Sequence, residues 1–180
     1  MIVVSGPSGV GKTSVVEGLS HRIPFHFSVS MTTRAARPGE TDGVDYHFVS
    51  REAFAAAFER GDLAEWAEYG GHLYGTPVAE LERQSAGQDV LLDIEMVGAR
   101  AIKTAYPDAI MIFIAPPSLE DLERRLRRRG DTTDEDVRRR LGVADDQMRE
   151  ATTLFDHIVV NDDLTAAIDR VADILGGDPQ

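Results

Sequence analysis

Cysteine is absent from the chain of 180 residues. Its absence excludes disulfide bonds, thiolate zinc sites and cysteine nucleophiles, and it is typical of proteins of the reducing cytosol. Long apolar runs are missing as well, because none approaches the roughly 18–20 residues that a membrane-spanning helix needs. The start, Met1–Ser5, has neither the basic residues nor the long apolar stretch of a signal peptide. We therefore expect a cytoplasmic protein that does not associate with membranes.

Lysine is scarce, although arginine is not. Lys12 and Lys103 are the only lysines among 19 basic residues, which are outnumbered by 31 acidic residues and leave a formal net charge of −12. This acidic balance disfavours general nucleic-acid binding, which depends on neutralising phosphates. Eight of the arginines lie between Arg124 and Arg140. Their concentration indicates either a local anion site or a solvated helix face of Arg and Glu side chains.

Short apolar runs alternate with amphipathic stretches along most of the chain. Continuous apolar strands separated by helices are typical of a parallel sheet that is covered by helices on both faces. We therefore predict the α/β fold class. The predicted strands are Ile2–Ser5, Val90–Ile94, Ile110–Ala115 and His157–Val160. The predicted helices are residues 11–21, Val97–Ala105, a helix capped by Ser118 with Asp121 as its capping-box partner, and Leu164–Leu175.

Residues 32–86 follow a different pattern. Asp45–Val49 and His72–Thr76 alternate in the manner of exposed strands, with a short helix from about Arg51 to Arg60 between them. This predicts an α+β insertion, residues 32–86, in a core that consists of residues 1–31 and 87–180. Such an insertion lies near the carboxyl ends of the parallel strands, beside the usual ligand crevice of these sheets.

One motif points directly to chemistry. The sequence from Gly6 to Thr13 matches G-x-x-x-x-G-K-[ST] in full, between a predicted strand and a predicted helix. In such a P-loop the backbone N–H groups wrap phosphates, and the following helix presents its positive end. Lys12 would bridge the β- and γ-phosphates of ATP, and Thr13 would offer its hydroxyl to Mg²⁺. The candidate ATP-binding residues of the loop are Gly6, Pro7, Ser8, Gly9, Val10, Gly11, Lys12 and Thr13.

An acidic residue outside the loop supports the assignment of a phosphate-binding site. Asp93 ends the apolar strand that begins at Val90. An apolar strand that ends in an acid near the metal is the second sequence motif of such phosphate-binding sites. Asp93 is therefore a candidate residue near the metal, together with Thr13.

Four further segments make the chain resemble the guanylate kinase family from about Val3 to Leu175. They are Phe27–Ser30 with Thr32–Arg34 and Arg37–Glu40, Gly43–Phe48, Glu65–Ala67 with Tyr74–Thr76, and Asp93–Glu95 with Gly98. The resemblance implies a P-loop NTPase-type sheet with a helical lid at about residues 124–142. It also implies an enzyme that transfers the γ-phosphoryl group of ATP to GMP, with Mg²⁺, to give ADP and GDP.

The resemblance assigns the insertion to GMP. Arg34 and Arg37 can fork onto one phosphate, with phenolic donors beside them. By resemblance Glu65 reads the base, because a carboxylate accepts from both N1–H and the exocyclic amine of guanine but faces a lone pair on adenine. Thr76 and Glu95 stand where serine and aspartate are frequent in the family. The implied GMP-binding residues are Ser30, Arg34, Arg37, Tyr46, Glu65, Tyr74, Thr76 and Glu95.

The resemblance also assigns phosphate-contacting arginines in the lid, Arg129 and Arg140, with Arg125 a weaker candidate. We expect the acidic stretch before Arg138 to be flexible. Asn161 is the implied adenine contact, although Asn161-Asp162-Asp163 is also simply a turn. The candidate catalytic residues are Lys12, Arg34, Arg129 and Arg140.

From the residues alone, interpretations without a role in ligand binding stay open. Glu65 could be a surface acid on a strand, the tyrosines could be packing residues, and Arg34 and Arg37 could be loop charges. At the level of function, the alternatives are a P-loop kinase of phosphorylated sugars and a guanylate-kinase-like scaffold module that binds phosphopeptides. We expect ATP and GMP as the substrates, with no nucleic acid and no obligate protein partner.

Overall fold

The computed structural model describes residues 1–85, 87–128 and 133–176. The described residues form nine strands and seven helices. In chain order they are β1 (Ile2–Ser5), α1 (Lys12–Ser20), β2 (His26–Phe27), β3 (Met31–Thr32), β4 (His47–Phe48), α2 (Arg51–Glu59), β5 (Leu63–Tyr69), β6 (His72–Pro77), α3 (Val78–Ser85), β7 (Val90–Asp93), α4 (Met96–Ala105), β8 (Ile110–Ala115), α5 (Leu119–Arg128), α6 (Asp134–Leu154), β9 (His157–Val160) and α7 (Leu164–Ile174).

The chain forms two compact units that interleave in sequence. The first unit consists of Met1–Ile2 and Phe25–Ala109, and the second of Val3–Pro24 and Ile110–Gln180. In the described residues, no helix has both the length and the apolar character needed to cross a membrane.

The first unit contains a sheet with the strand order β4-β3-β6-β5. Strand β3 is parallel to β4 and antiparallel to β6, and β5 and β6 form an antiparallel hairpin. In that hairpin Glu65 lies opposite Thr76, after a register shift between Leu63 and Glu65. Strand β2 pairs in parallel with β7, and α4 packs against β5. The hairpin therefore presents Glu65 to α4.

The second unit is built on β1, β8 and β9, which lie in that order. Strands β8 and β9 are parallel, from the pair Ile112 and His157 to the pair Ala115 and Val160. The inner residues of β1 and β8 are almost completely buried, as a strand covered on both faces requires. Helix α1 packs against α7, and α5 against α6.

The apolar strands of the sequence are confirmed. Ile2–Ser5, Ile110–Ala115 and His157–Val160 have the predicted bounds, and the predicted strand from Val90 ends one residue earlier, at Asp93. The predicted cap before α5 by Ser118 is also confirmed. The N–H of Asp121 donates to the hydroxyl of Ser118 at 3.0 Å, and that hydroxyl donates to the Asp121 carboxylate at 2.9 Å.

Two local predictions are wrong. The predicted strand Asp45–Val49 is reduced to His47–Phe48, because the preceding acidic side chains close loops on the backbone. The carboxylate of Asp45 accepts from the N–H of Thr41 at 2.7 Å, and Asp42 accepts from that of Phe48 at 2.9 Å.

The second error concerns the acidic stretch before Arg138, which the sequence suggested to be flexible. From residue 133 it is the start of α6 instead. Thr133 caps this helix by accepting from the N–H of Asp136 at 3.2 Å. The acidic residues of the first turn, Asp134, Glu135 and Asp136, complement the positive end of the helix.

A small apolar core joins α5 to α6 and so positions the arginines of both helices. Its fully buried members are Leu122, Leu126, Val137 and Ala144. The partly buried residues Leu119 and Leu141 pack against this core.

We expect Leu122→Ala to lower the free energy of unfolding by about 2–5 kcal/mol, because the truncation removes buried contacts and leaves a cavity. Urea denaturation followed by circular dichroism measures the change. The control is Leu164→Ala at a leucine that is 43% exposed, which should change the free energy by no more than about 0.5 kcal/mol. Equal effects of the two substitutions would contradict the assignment of this core.

Candidate functional site

The segment Gly6–Thr13 forms a loop between β1 and α1 in the second unit. The N–H of Val10 donates to the carbonyl of the residue three positions earlier at 3.2 Å, which closes a turn. The ammonium of Lys12 donates to the carbonyl of Gly6 at 2.8 Å. Gly6 has a φ of 152°, and a Cβ there would overlap the backbone carbonyl of Ile114 on β8. The loop thus has the compact backbone that a phosphate cradle requires.

Helix α1 begins directly after Gly11, whose φ of 97° lies in the left-handed region. No side chain in the described part of the chain caps this end of the helix. The first N–H groups of a helix have no intrahelical acceptor, and the helix dipole makes that end positive. The start of α1, where Thr13 is exposed, is therefore suited to a phosphate group.

The carbonyl of Val10 accepts from two side chains of the second unit. Arg125 Nη1 donates to it at 3.0 Å, and Asn161 Nδ2 at 2.8 Å. Arg125 Nη2 also donates to the backbone carbonyl of Asn161 at 2.7 Å. Asn161 is 5% exposed and follows β9, whereas Arg125 lies on α5. One guanidinium thus ties the phosphate loop to the end of β9, a role that the sequence did not indicate.

The arginines between Arg124 and Arg140 divide into two groups. Arg140 donates to the hydroxyl of Ser8 in the phosphate loop at 3.2 Å, and its buried Nε has no hydrogen-bond partner among the described residues. Exposed ion pairs with acidic residues of α5 and α6 are formed by Arg124, Arg127 and Arg139. The interpretation as a solvated helix face is confirmed for Arg124, Arg127 and Arg139, whereas the anion site stays a prediction, for which Arg140 beside the phosphate loop is the candidate. The predicted catalytic residue Arg129 lies outside the described residues.

A cavity of about 790 Å³ adjoins the phosphate loop in the second unit. Gly9 and Gly11 line it from the loop, and Asn161 lines it from the end of β9. Its basic wall comes from α5 and consists of Arg124, Arg125 and Arg128. A cavity of this size and charge can hold an anionic ligand of nucleotide size.

In the first unit, Arg34 is held by Glu40. Its two terminal nitrogens donate to the two carboxylate oxygens of Glu40, each at 2.8 Å. This pairing raises the pKa of Arg34 and lowers that of Glu40. The guanidinium also lies over the rings of Tyr46 and Phe48, with centroid distances of 5.4 and 5.7 Å. Arg34 is therefore oriented before any ligand binds.

The same carboxylate also orders the backbone between the two candidate arginines. Glu40 accepts from the N–H of Arg37 at 2.7 Å, while the side chain of Arg37 is exposed. The sequence reasoning gave Glu40 no role. The available signal was an acid three residues after Arg37, across the turn formers Pro38 and Gly39.

Two predicted tyrosines lie beside Arg34. The rings of Tyr46 and Tyr74 meet edge to face with centroids 5.9 Å apart. A hydrogen bond with Tyr74 contributes to the raised pKa of Arg34. Burial, followed by the negative charge of Asp93 at the end of β7, raises the pKa of Tyr46 to about 12. The Tyr46 phenol therefore keeps its proton at neutral pH and can act as a donor.

Glu65 is the buried acid of the first unit, with 6% of its surface exposed. Its Oε1 accepts from the hydroxyl of Thr76 at 2.6 Å across the hairpin. Burial raises the pKa of Glu65 and the charge of Glu95 raises it further, while the hydrogen bonds of Thr76 oppose the shift. The interpretation of Glu65 as a surface acid is therefore wrong. Ser30 lies in the same unit, half-buried, and its carbonyl accepts from the N–H of His47 at 2.9 Å.

Comparison with known proteins shows which sequences this chain is similar to. The sequence model of a family described as "Guanylate kinase" matches residues 1–177. A guanylate kinase of Synechococcus sp. (strain JA-3-3Ab) is 48% identical over 177 residues, which are 97% of this chain and 81% of that protein. A guanylate kinase of Thermus thermophilus is 50% identical over 169 residues, which are 93% of this chain and 76% of that protein.

A solved structure is similar as well. The crystal structure of guanylate kinase from Anaplasma phagocytophilum superposes with a TM-score of 0.78 at 35% identity. The match covers 98% of this chain and 84% of that one.

The raised pKa of Glu65 leads to a prediction about stability. Because the folded state holds the Glu65 proton more tightly than the unfolded state, wild-type stability falls as pH rises from the ordinary glutamate range through the folded pKa. Glu65→Gln keeps the acceptor for Thr76 but cannot ionise. We therefore expect this variant to gain stability over the wild type as pH rises, with the gain largest at neutral and higher pH.

Urea denaturation between pH 4 and 8 measures this difference. The matched control is Glu68→Gln, at an exposed glutamate of the same strand, which should show no comparable pH-dependent gain. A constant difference between Glu65→Gln and the wild type across this range would refute a raised Glu65 pKa.

Proposed function

This chain belongs to the guanylate kinase family, and we propose that it transfers the γ-phosphoryl group of ATP to GMP, giving ADP and GDP. The observation that carries the proposal is the buried carboxylate of Glu65, held by Thr76 in the same unit as an oriented arginine. A base-reading acid and a phosphate-binding cation are the two groups that recognition of GMP requires.

Glu65 selects the base. Guanine presents N1–H and its exocyclic amine side by side, and a carboxylate accepts from both, whereas adenine presents an unprotonated N1. Hydrogen bonds from guanine favour the charged form of Glu65, and so offset the burial that raises its pKa. Ser30 and Thr76 supply hydroxyls beside the base, and Glu95 supplies a second acid.

Arg34 and Arg37 bind the phosphate of GMP. A guanidinium has several N–H donors in one plane, so Arg34 can serve Glu40 and a phosphate together. Tyr46 and Tyr74 add phenolic donors without further charge. Because Glu40 and the aromatic rings already orient Arg34, little conformational freedom is lost when the phosphate binds.

The second unit binds ATP. The phosphate loop and the start of α1 receive the phosphates, and Asn161 contacts the adenine. Lys12, Arg129 and Arg140 neutralise charge on the transferring group, together with Arg34. Phosphoryl transfer needs in-line placement and charge stabilisation more than covalent chemistry, so direct transfer without a covalent enzyme intermediate suffices.

Mg²⁺ accompanies ATP in this proposal, with Thr13 and Asp93 as the protein's contribution. Both are oxygen donors, which suit this ion. Within the described residues no group of three or more acidic, histidine or cysteine side chains could hold a metal ion. The ion would therefore take most of its ligands from phosphates and water, which is the usual mode for Mg²⁺ in kinases. When bound, it neutralises charge on the β- and γ-phosphates.

Residues 32–86 form the GMP-binding insertion, residues 1–31 and 87–180 form the core, and residues from about 124 to 142 form the lid. The protein works in the cytoplasm on ATP and GMP, with neither nucleic acid nor an obligate protein partner. The complete phosphate loop argues against a scaffold module, and the buried Glu65 argues against a sugar-phosphate acceptor, which has no base.

We expect Glu65→Gln to relax base choice. The loss of a charged hydrogen-bond acceptor should lower kcat/KM for GMP by roughly 10- to 150-fold, as expected for about 1.5–3 kcal/mol. Turnover of AMP relative to GMP should rise, because glutamine can donate to the adenine N1. Coupled ADP-release assays with both nucleotides measure this, with Glu68→Gln as the control. Equal turnover of AMP and GMP by the unmodified protein would contradict the base-reading role.

Lys12→Ala should abolish transfer with either base, because it removes the cation of the phosphate loop. Binding of GMP should persist, since the residues proposed for GMP belong to the first unit. Calorimetry with GMP and the ADP-release assay separate the two effects. Lys103→Ala, at the other lysine of the chain, should keep its activity. Undiminished turnover by Lys12→Ala would argue against the loop as the ATP site.

A further inference from the structure

Gly98 stands in the third position of α4, at a point where the helix packs against Glu65. A Cβ built at this position would overlap Oε2 of Glu65 and would lie 2.8 Å from its Cδ. The third-nearest atom, at 3.5 Å, is Cγ of the same residue. All three nearest neighbours of the missing side chain therefore belong to the proposed base-reading acid.

Neither helix propensity nor backbone conformation explains the glycine at position 98. Glycine is less favourable than alanine inside a helix because it loses more backbone freedom on folding. Gly98 is buried, and it has no positive φ that would require glycine. Gly142 in α6 offers a contrast, since a Cβ there would meet nothing within 4 Å. Close packing against Glu65 is the physical reason that the structure offers for glycine at position 98.

We propose that Gly98 is a positioning residue for base selection, acting through Glu65. The carboxylate is fixed from two sides: Thr76 holds Oε1 at 2.6 Å, and the bare backbone of α4 leaves the space that Oε2 occupies. Because Oε1 is anchored, a methyl group at position 98 would turn or displace the carboxylate. This inference depends on the proposed function, in which both oxygens of Glu65 accept from guanine.

The kinetic test is Gly98→Ala, assayed with GMP and with IMP, which keeps N1–H but lacks the exocyclic amine. A turned carboxylate loses part of its paired contact, so kcat/KM for GMP should fall at least about tenfold. IMP should lose less, and the GMP to IMP preference should therefore shrink. KM for ATP should stay unchanged. Val97→Ala, at a residue of α4 that is 56% exposed, is the matched control and should change none of these values.

An unchanged kcat/KM for GMP would overturn the inference. An equal fold loss with GMP and IMP would overturn it too, because it leaves the GMP to IMP preference at its wild-type value. If the wild type itself does not phosphorylate GMP, the proposed function fails first. An active wild type with an unaffected Gly98→Ala variant refutes only the role of Gly98.

A second experiment needs no substrate, and it tests the inference also when Gly98→Ala folds too poorly for kinetics. Thermal unfolding is measured for Gly98→Ala in the wild type and in a Glu65→Ala background. If the glycine exists to accommodate Glu65, the substitution should lower Tm in the wild type but not in the Glu65→Ala background. The same loss in both backgrounds would show that Gly98 accommodates something other than Glu65, and the inference would fall.

Discussion

A carboxylate kept out of water is the constraint around which the first unit is organised. An unpaired buried charge is strongly unfavourable, so its neighbours must either pair with it or give it room. Around Glu65 the hairpin supplies the hydroxyl of Thr76, and α4 supplies the gap at Gly98. The remaining hydrogen-bonding capacity of the acid is what a guanine base can satisfy. In the proposed function, burial and base selection therefore depend on the same contacts of Glu65.

Arginine has two different uses in this protein. Arg34 is oriented by Glu40 and the aromatic rings, so that its charge is available to a phosphate. Arg125 instead bonds the carbonyls of Val10 and Asn161, and its role in the second unit is to shape the phosphate loop. A guanidinium can do either because its planar fork reaches two acceptors at once. A count of arginines along the chain does not distinguish these uses.

Predictions from sequence were most accurate for the apolar strands, because a strand buried on both faces leaves a continuous apolar run. They failed where short-range polar contacts decide the structure. The Asp42 and Asp45 side chains close the loop that replaces part of a predicted strand. The Thr133 cap starts α6 in a stretch whose acidic composition suggested flexibility. Helix α3 was not predicted, since it has no long apolar run, and the strand of Glu65 was considered only in the interpretation of Glu65 as a surface acid.

The sequence alone determined the phosphate loop and the α/β class, because the spacing of the residues carries this information, and it identified the candidate acid through the resemblance to the guanylate kinase family. Only the tertiary structure decided that Glu65 is buried, that Glu40 orients Arg34 and that Gly98 makes room for a carboxylate. These facts depend on atoms that meet across strands and helices. Packing of that kind arises between distant residues, and a one-dimensional pattern does not record which of them come into contact.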